Sequence, residues 1–333
     1  MKVDAVLLAG DKKGSAPIYH DNKAFLLLRG VPLVVHVLRT LLRTAHVERI
    51  FVVGPFERLT RLLRQYELEY GPDQRIVVVA QKTNLIENAM AGFVASLPQA
   101  ASEMTHAQLA ESQFSERYAL FLPSDIPLTT PHEIDEFIVK SDMINYDYSI
   151  GVCSQEVLAA YYPKPPSVGI VMACFHLRDD AVRQNNLHLG RPFRVERMLY
   201  VEKMYRLRYQ RRIANMLRMV LELMLSGRGV ARSVLLFLRM QLTLFFYSHR
   251  CWNLYSLARR RISRERILTR VGQLLGTRMQ MVATRFGGAA LDIDNAEHLE
   301  IADRMAVNWL DYQNRILAAA QARADRACGA TNR

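Results

Sequence analysis

Cysteine is scarce in this chain of 333 residues, and the four present, Cys153, Cys174, Cys251 and Cys328, stand far apart with no Cys-x-x-Cys pair. That spacing excludes a disulfide scaffold and a zinc ribbon and points to a reducing compartment. A signal-peptide core is missing too. Met1-Lys2 runs straight into Val3-Asp4-Ala5-Val6-Leu7-Leu8-Ala9, a short run that Asp4 interrupts and that no small-residue cleavage site follows. The expected localisation is cytoplasmic. No internal repeat is present, and no apolar run goes unbroken for the length of a membrane span. Residues 230–247 come nearest, but Arg232 and Arg239 interrupt them, and a central arginine costs roughly 2.5 to 3.5 kcal/mol on insertion scales.

Acids are nearly absent from one stretch alone. The chain holds 44 Lys or Arg against 32 Asp or Glu, a net charge of +12. Between Lys203 and Arg270 stand sixteen of those bases and two acids, Glu222 and Glu265, so the remainder carries 28 bases against 30 acids. The basic excess is therefore a local property and not the footprint of a whole nucleic-acid-binding fold. Tyr205, Tyr209, Trp252 and Tyr255 accompany a very apolar helix there. Such a segment suits an anionic membrane surface on the inner face of the membrane, or a protein partner such as a second copy in a homodimer; nucleic acid fits it poorly. Residues 205–278 are accordingly read as an inserted basic, amphipathic helical subdomain. The stretches 1–204 and 279–330 form the body around it.

What the body contains is an alternation of short apolar runs with helical patterns. Val3–Leu8, Ile50–Val53, Arg75–Ala80, Ala119–Leu122, Tyr148–Cys153, Gly169–Phe175 and Met279–Thr284 read as strands, and helices follow from Pro32, Arg58, Asn88, Pro131 and Ala296. Residues 99–117, polar and alanine-rich, read as a solvent-facing helix or loop. The fold class expected is α/β, doubly wound on a mostly parallel sheet.

Chemistry concentrates where strands end. Ala9-Gly10-Asp11-Lys12-Lys13-Gly14-Ser15 follows the first strand, and glycines in such a turn let backbone N–H groups approach phosphate. Asp125 ends the run Leu120-Phe121-Leu122-Pro123-Ser124 and so sits where open α/β sheets place ligands. The alternative, that Asp125 only caps the next helix, is weakened because Thr129 or Thr130 already precedes Pro131 as a cap. Asp294 ends Leu291-Asp292-Ile293, where it stands either as a second ligand or, with Asn295, as the cap of the final helix. Asp292 shares its face but lies deeper in the run.

Together, Leu8-Ala9-Gly10 with Lys23 and Gly30-Val31-Pro32-Leu33, the Thr83 to Asn88 loop, Leu122-Pro123-Ser124-Asp125-Ile126-Pro127-Leu128 and Asp292-Ile293-Asp294-Asn295-Ala296-Glu297-His298-Leu299 resemble the MobA-like nucleotidyltransferases. They cover about the first 200 residues and the last 50. The resemblance implies a Rossmann-like, GT-A type fold that transfers a nucleoside monophosphate from a nucleoside triphosphate to a phosphorylated acceptor. It implies Mg²⁺ held by Asp125 and Asp294, and Lys23 on the triphosphate. It also implies a nucleotide pocket of Leu8, Ala9, Gly10, Lys12, Lys13, Gln81, Asn84 and Asn88, with Lys164, Ser167 and Gly169 on the acceptor side. Each has a plainer reading: a surface lysine, a helix cap or core amide at Asn88, a proline-stiffened loop at 163–167. The chain departs from the family where Asp11, Lys12 and Lys13 replace the usual small residue and arginine. A membrane-bound insert would suit a lipid-precursor acceptor. Two rivals remain: a glycosyltransferase of related fold, which wants an acidic pair where Pro123-Ser124-Asp125 offers one acid, and a non-catalytic scaffold.

Overall fold

The computed structural model describes residues 1–10, 18, 21–101, 103–197 and 228–331. A mixed sheet runs in the order β10 (Met279–Thr284), β7 (Tyr148–Ser154), β9 (Ala181–Gly190), β6 (Ala119–Pro123), β1 (Val3–Leu8), β4 (Val47–Gly54) and β5 (Ile76–Ala80), with β8 (Phe175–His176) added to β9. Its hub is β1 (Val3–Leu8), which pairs in parallel with β4 (Val47–Gly54) and with β6 (Ala119–Pro123), while β5 (Ile76–Ala80) extends the parallel set beyond β4. Ala5, Val6 and Leu7 are fully buried. Strands covered on both faces need continuous apolar runs, which is why these four are plain in the sequence. A small hairpin of β2 (Leu27–Leu28) and β3 (Val31–Pro32) turns at Arg29 and Gly30, both at positive φ.

Helices clothe the sheet. Against one face α1 (Leu33–Arg43), α2 (Phe56–Gln65) and α5 (Pro131–Lys140) bury Leu38, Leu63 and Phe137 in the core that holds Leu7 and Val52. On the other, α3 (Leu85–Ser96) sets Phe93 against Val6, Val53 and Phe121. The stretch 99–117 does not simply face solvent: around α4 (His106–Glu111), Leu109 closes with Ala101 and Phe114 in a small core of its own. Thr130 stands at the N-cap of α5, yet its hydroxyl bonds Gln313 Oε1 instead of capping the helix.

The far half departs from expectation. β7 (Tyr148–Ser154) and β10 (Met279–Thr284) pair in parallel as anticipated, with α6 (Gln155–Leu158) following β7. The apolar run 169–175 is not a strand, however; only β8 (Phe175–His176) pairs at its end. The strand of this region is β9 (Ala181–Gly190), antiparallel between β6 and β7. Its polar middle, Arg183-Gln184-Asn185-Asn186, hides the period-two signal. Three of those side chains, Arg183, Asn185 and Asn186, are spent inside the fold, while Gln184 is exposed. The Asn185 amide donates to Thr284 Oγ1 at 2.9 Å, and that of Asn186 donates to the Ala289 carbonyl at 3.1 Å. Gly151 leaves the room, because a Cβ there would meet Asn185 Oδ1 at 2.0 Å.

Three helices, α7 (Arg228–Ser248), α8 (Trp252–Arg259) and α9 (Arg264–Leu275), then pack on this half. Leu236 and Ile262 join Val152, Leu177 and Val182, and Leu275 joins Val195 and Met279. The first part of the predicted insert, 205–227, lies outside the described residues. Among those described, no helix is long and apolar enough to cross a membrane. The last helix, α10 (Ala296–Thr331), lays Ala302, Ala306 and Trp309 against Tyr161.

Candidate active site

Strand register brings the loop starts to one level. Leu8 lies opposite Val53 on one side and Pro123 on the other, and Gly54 lies opposite Ala80. The next residues link across: Ala9 N donates to the Val53 carbonyl at 2.8 Å, Ser124 N to Leu8 O at 3.0 Å, and Gln81 N to Gly54 O at 3.0 Å. Ala9, Gly54, Gln81 and Ser124 thus form one rim at the carboxyl ends of the parallel strands. Gly10 sits under it without a side chain because a Cβ would fall 2.7 Å from the Asn88 amide nitrogen and 3.2 Å from Gln81 Oε1.

Two carboxylates and a lysine meet beside this rim. Asn22 donates its amide to Ala9 O at 3.1 Å and accepts from Ala24 N at 2.9 Å, which fixes the short turn that carries Lys23. The Lys23 ammonium lies 2.9 Å from Asp294 Oδ1 and 3.5 Å from Asp125 Oδ2. The two oxygens are therefore no further apart than those distances added. Asp125 O accepts from Ile293 N at 2.9 Å, so the 291–294 segment runs directly against the end of β6. Capping falls to Asn295, which accepts from His298 N at 2.8 Å. Asp292 plays a different part, since it is buried and holds the Arg183 guanidinium at 2.6 Å.

The 284–292 segment that leads to Asp294 is itself held from below, by residues that no sequence pattern marks. Glu133, fully buried in the first turn of α5, accepts from Thr284 Oγ1 at 2.9 Å, Gly287 N at 3.2 Å and Ala289 N at 2.8 Å. Burial pushes its carboxyl up to about 7, against the three donors and despite them. An acid in a first helical turn ordinarily serves the helix dipole from outside, so the sequence offers no sign that this one turns inward. From β9, Arg183 adds a bond to Ala290 O at 3.1 Å. Tyr161 donates its hydroxyl to Phe286 O from the far side.

The remaining predicted residues divide. Leu8, Ala9, Gly10, Gln81 and Asn88 line the rim; Asn88 is buried, with its carbonyl oxygen accepting from Lys82 N. Asn84 caps α3, accepting from Glu87 N at 2.9 Å and donating to Glu87 Oε1 at 2.9 Å. Lys12 and Lys13 lie outside the described residues. Lys164 and Ser167 are exposed in a turn closed by their two backbone bonds, of 3.1 and 2.8 Å. Gly169 serves close packing: a Cβ would stand 2.4 Å from Pro163 N.

Among the described residues no cluster of three or more His, Cys, Asp or Glu is set to hold a metal. Two carboxylates nonetheless suit Mg²⁺, which takes one or two from protein and the rest from phosphates and water. The oxygens that now share an ammonium are the donor set a hard divalent cation prefers.

Comparison with solved structures shows the same fold in a hypothetical transferase from Thermus thermophilus, 20% identical, with 90% of this chain and 100% of that one covered and a TM-score of 0.55. A CMP:2-keto-3-deoxy-manno-octonic acid synthetase complexed with CTP aligns over 92% of this chain and 99% of its own, but at 12% identity and a TM-score of 0.42. No curated protein sequence matches the chain. The family model described as the MobA-like NTP transferase domain matches residues 5–218, which take in the glycine turn, Lys23, the rim and Asp125 but not Asp294. With that match over well more than half its length, the chain belongs to the MobA-like NTP transferases and is a nucleotidyltransferase.

Proposed function

We propose that the protein transfers a nucleoside monophosphate from a nucleoside triphosphate to a phosphorylated small molecule or lipid precursor, releasing pyrophosphate. The observation that carries this reading is the convergence of Lys23, Asp125 and Asp294 beside the Ala9–Gly10 turn. An acceptor phosphate oxygen attacks the α-phosphorus; the new P–O bond forms as the α–β bridging P–O bond breaks, and pyrophosphate leaves with the electron pair. Charge neutralisation dominates such a reaction, since no covalent protein intermediate is needed. Asp125 and Asp294 would hold Mg²⁺, which supplies Lewis-acid neutralisation of the phosphate oxygens.

The chain's own residues do the rest. Lys23 stabilises the triphosphate with its ammonium, and Lys12 and Lys13 add point charges in place of the family's arginine. Gly10 admits the triphosphate to the backbone, while Leu8, Ala9, Gln81 and Asn88 border the base. Lys164 and Ser167 receive the acceptor from a turn that Gly169 allows to pack closely and whose root, Tyr161, is bonded to the loop that leads to Asp294. In this reading residues 1–204 and 279–330 are the catalytic body and 205–278 an added unit, working in the cytoplasm on the inner face of the membrane. The engagement of Asn84 with Glu87 supports a capping role for it and weakens its part in reading the base.

Pyrophosphate release across the four nucleoside triphosphates and a panel of sugar, alcohol and prenyl phosphates tests the reading. One nucleotide and one acceptor class should stand out, and chelation with EDTA should abolish release. Silence across the whole panel with folded protein would overturn it.

A further inference from the structure

The face that α7 and α8 turn outward is both greasy and basic. Leu235, Leu238, Leu242 and Phe245 recur on α7 at steps of three and four, and all are exposed; Trp252, Leu254 and Leu257 continue the exposure onto α8. Around them residues 228–275 hold ten arginines and one acid, Glu265. Arg250, Arg260 and Arg261 are exposed. The face cannot simply roll inward, because the opposite side is anchored. His176 of β8 stacks on Tyr247 with centroids 4.1 Å apart and bonds the Tyr255 hydroxyl at 3.0 Å, and Leu236 and Ile262 are buried in the body.

A groove of about 950 Å³ widens this face onto the catalytic body, between α7 and residues 171–176, with Tyr162, Val171, Met172, Leu238, Leu242 and Phe245 in its walls. It lies close to the candidate site. Arg183 bonds the carbonyl of Ala173, in the groove wall, at 3.3 Å and Asp292, two residues before Asp294, at 2.6 Å.

Charge and apolarity together select the occupant. A second copy would set the exposed Arg250, Arg260 and Arg261 against a like-charged face, and like charge repels. Nucleic acid would satisfy the arginines but leave Leu242, Phe245, Leu254 and Leu257 against water. An anionic bilayer takes both, with apolar side chains in the acyl boundary, arginines among the headgroups, and Trp252 at the level between. We propose that the α7–α8 face docks on an anionic lipid bilayer surface and so presents the groove, and the Lys23–Asp125–Asp294 centre behind it, to molecules held there. Docking stands on the surface alone; only its use in delivering an acceptor rests on the nucleotidyl-transfer reading.

The test uses the full chain with vesicles of phosphatidylcholine alone or mixed with phosphatidylglycerol. Flotation should show binding at least tenfold tighter to the anionic vesicles, weakening as salt rises. Tryptophan emission should shift to the blue on binding, and that shift reports the face, because Trp252 is 56% exposed and Trp309 only 3%. The double variants Leu254→Glu with Leu257→Glu, and Arg260→Glu with Arg261→Glu, change exposed positions outside the groove; each should lose at least tenfold in vesicle binding with an unchanged melt. Their pyrophosphate release with a soluble acceptor should equal wild type, which separates failure of docking from failure of the catalytic reading. No preference for anionic vesicles, or binding that leaves Trp252 emission and both variants unaffected, would overturn the proposal and assign the face to an acidic protein or to residues 198–227.

Discussion

An ammonium that reaches carboxylates from two distant parts of the chain closes the candidate site before any ligand arrives. Lys23→Ala leaves Asp125 and Asp294 facing each other with their mutual repulsion less screened. Thermal melts should show this variant a few degrees below wild type without metal and gaining more than wild type from millimolar Mg²⁺; equal gains would count against a shared cation position. Glu133 offers a second test. Its carboxyl is raised by burial from 4.5 to about 7, so the folded state binds the extra proton between those values, and the stability this contributes is complete below about 4.5 and lost as pH rises through 7. Glu133→Gln cannot titrate, and it gives up at least one of the three accepted bonds, at about 1 to 3 kcal/mol. The gap in melting temperature between wild type and this variant should therefore be wider at pH 5 than at pH 8; a constant gap would refute the titration. Lys23, Asp125 and Asp294 are legible in the sequence because strand ends and a family pattern mark them. Glu133 is not, because its neighbours in space lie at 284–289, far along the chain.

Among the elements, β9 shows most clearly what pattern reading can and cannot reach. The parallel strands announce themselves as apolar runs, whereas β9 is half polar because its side chains bond to the 284–292 segment and do not face an apolar core. The apolar run 169–174 misleads for the opposite reason. Part of it lines the groove against α7, where greasy side chains need no strand partner. Arg183 is the element's working residue, tying β9 to Asp292, Ala290 and Ala173. Arg183→Met would leave the buried Asp292 charge without its partner, and chemical denaturation should show a loss of about 3 to 5 kcal/mol. A loss below about 1 kcal/mol would mean that the pair does not hold the segment. The helical insert is legible in outline, as basic and apolar together. Its anchoring through His176 to Tyr247 and Tyr255 is not, since it is a contact between chain segments that no periodicity records.

At the scale of the whole molecule, the sheet's order explains why an acid at the end of β6 and another beyond β10 can meet. β9, β7 and β10 follow β6 across the sheet, and the chain leaving β10 must return over their ends to reach α10. Glu133, Arg183 and Tyr161 guide that return, which ends with Ile293 bonded to Asp125 O. The net charge of +12 belongs, along the sequence, to residues 203–270, the segment that includes α7 and α8. The proposed catalytic centre and the proposed docking face use different residues and can be changed separately. The most direct test of the centre is a comparison of turnover in Asp125→Asn, Asp294→Asn and the double variant, each measured as pyrophosphate release at saturating Mg²⁺ and nucleotide. Carboxylates that serve one cation act as a unit, so each single variant should lose roughly 100-fold or more and the double variant hardly more than the worse single. Losses that multiply in the double variant, or a single variant that keeps wild-type turnover, would contradict a shared metal centre.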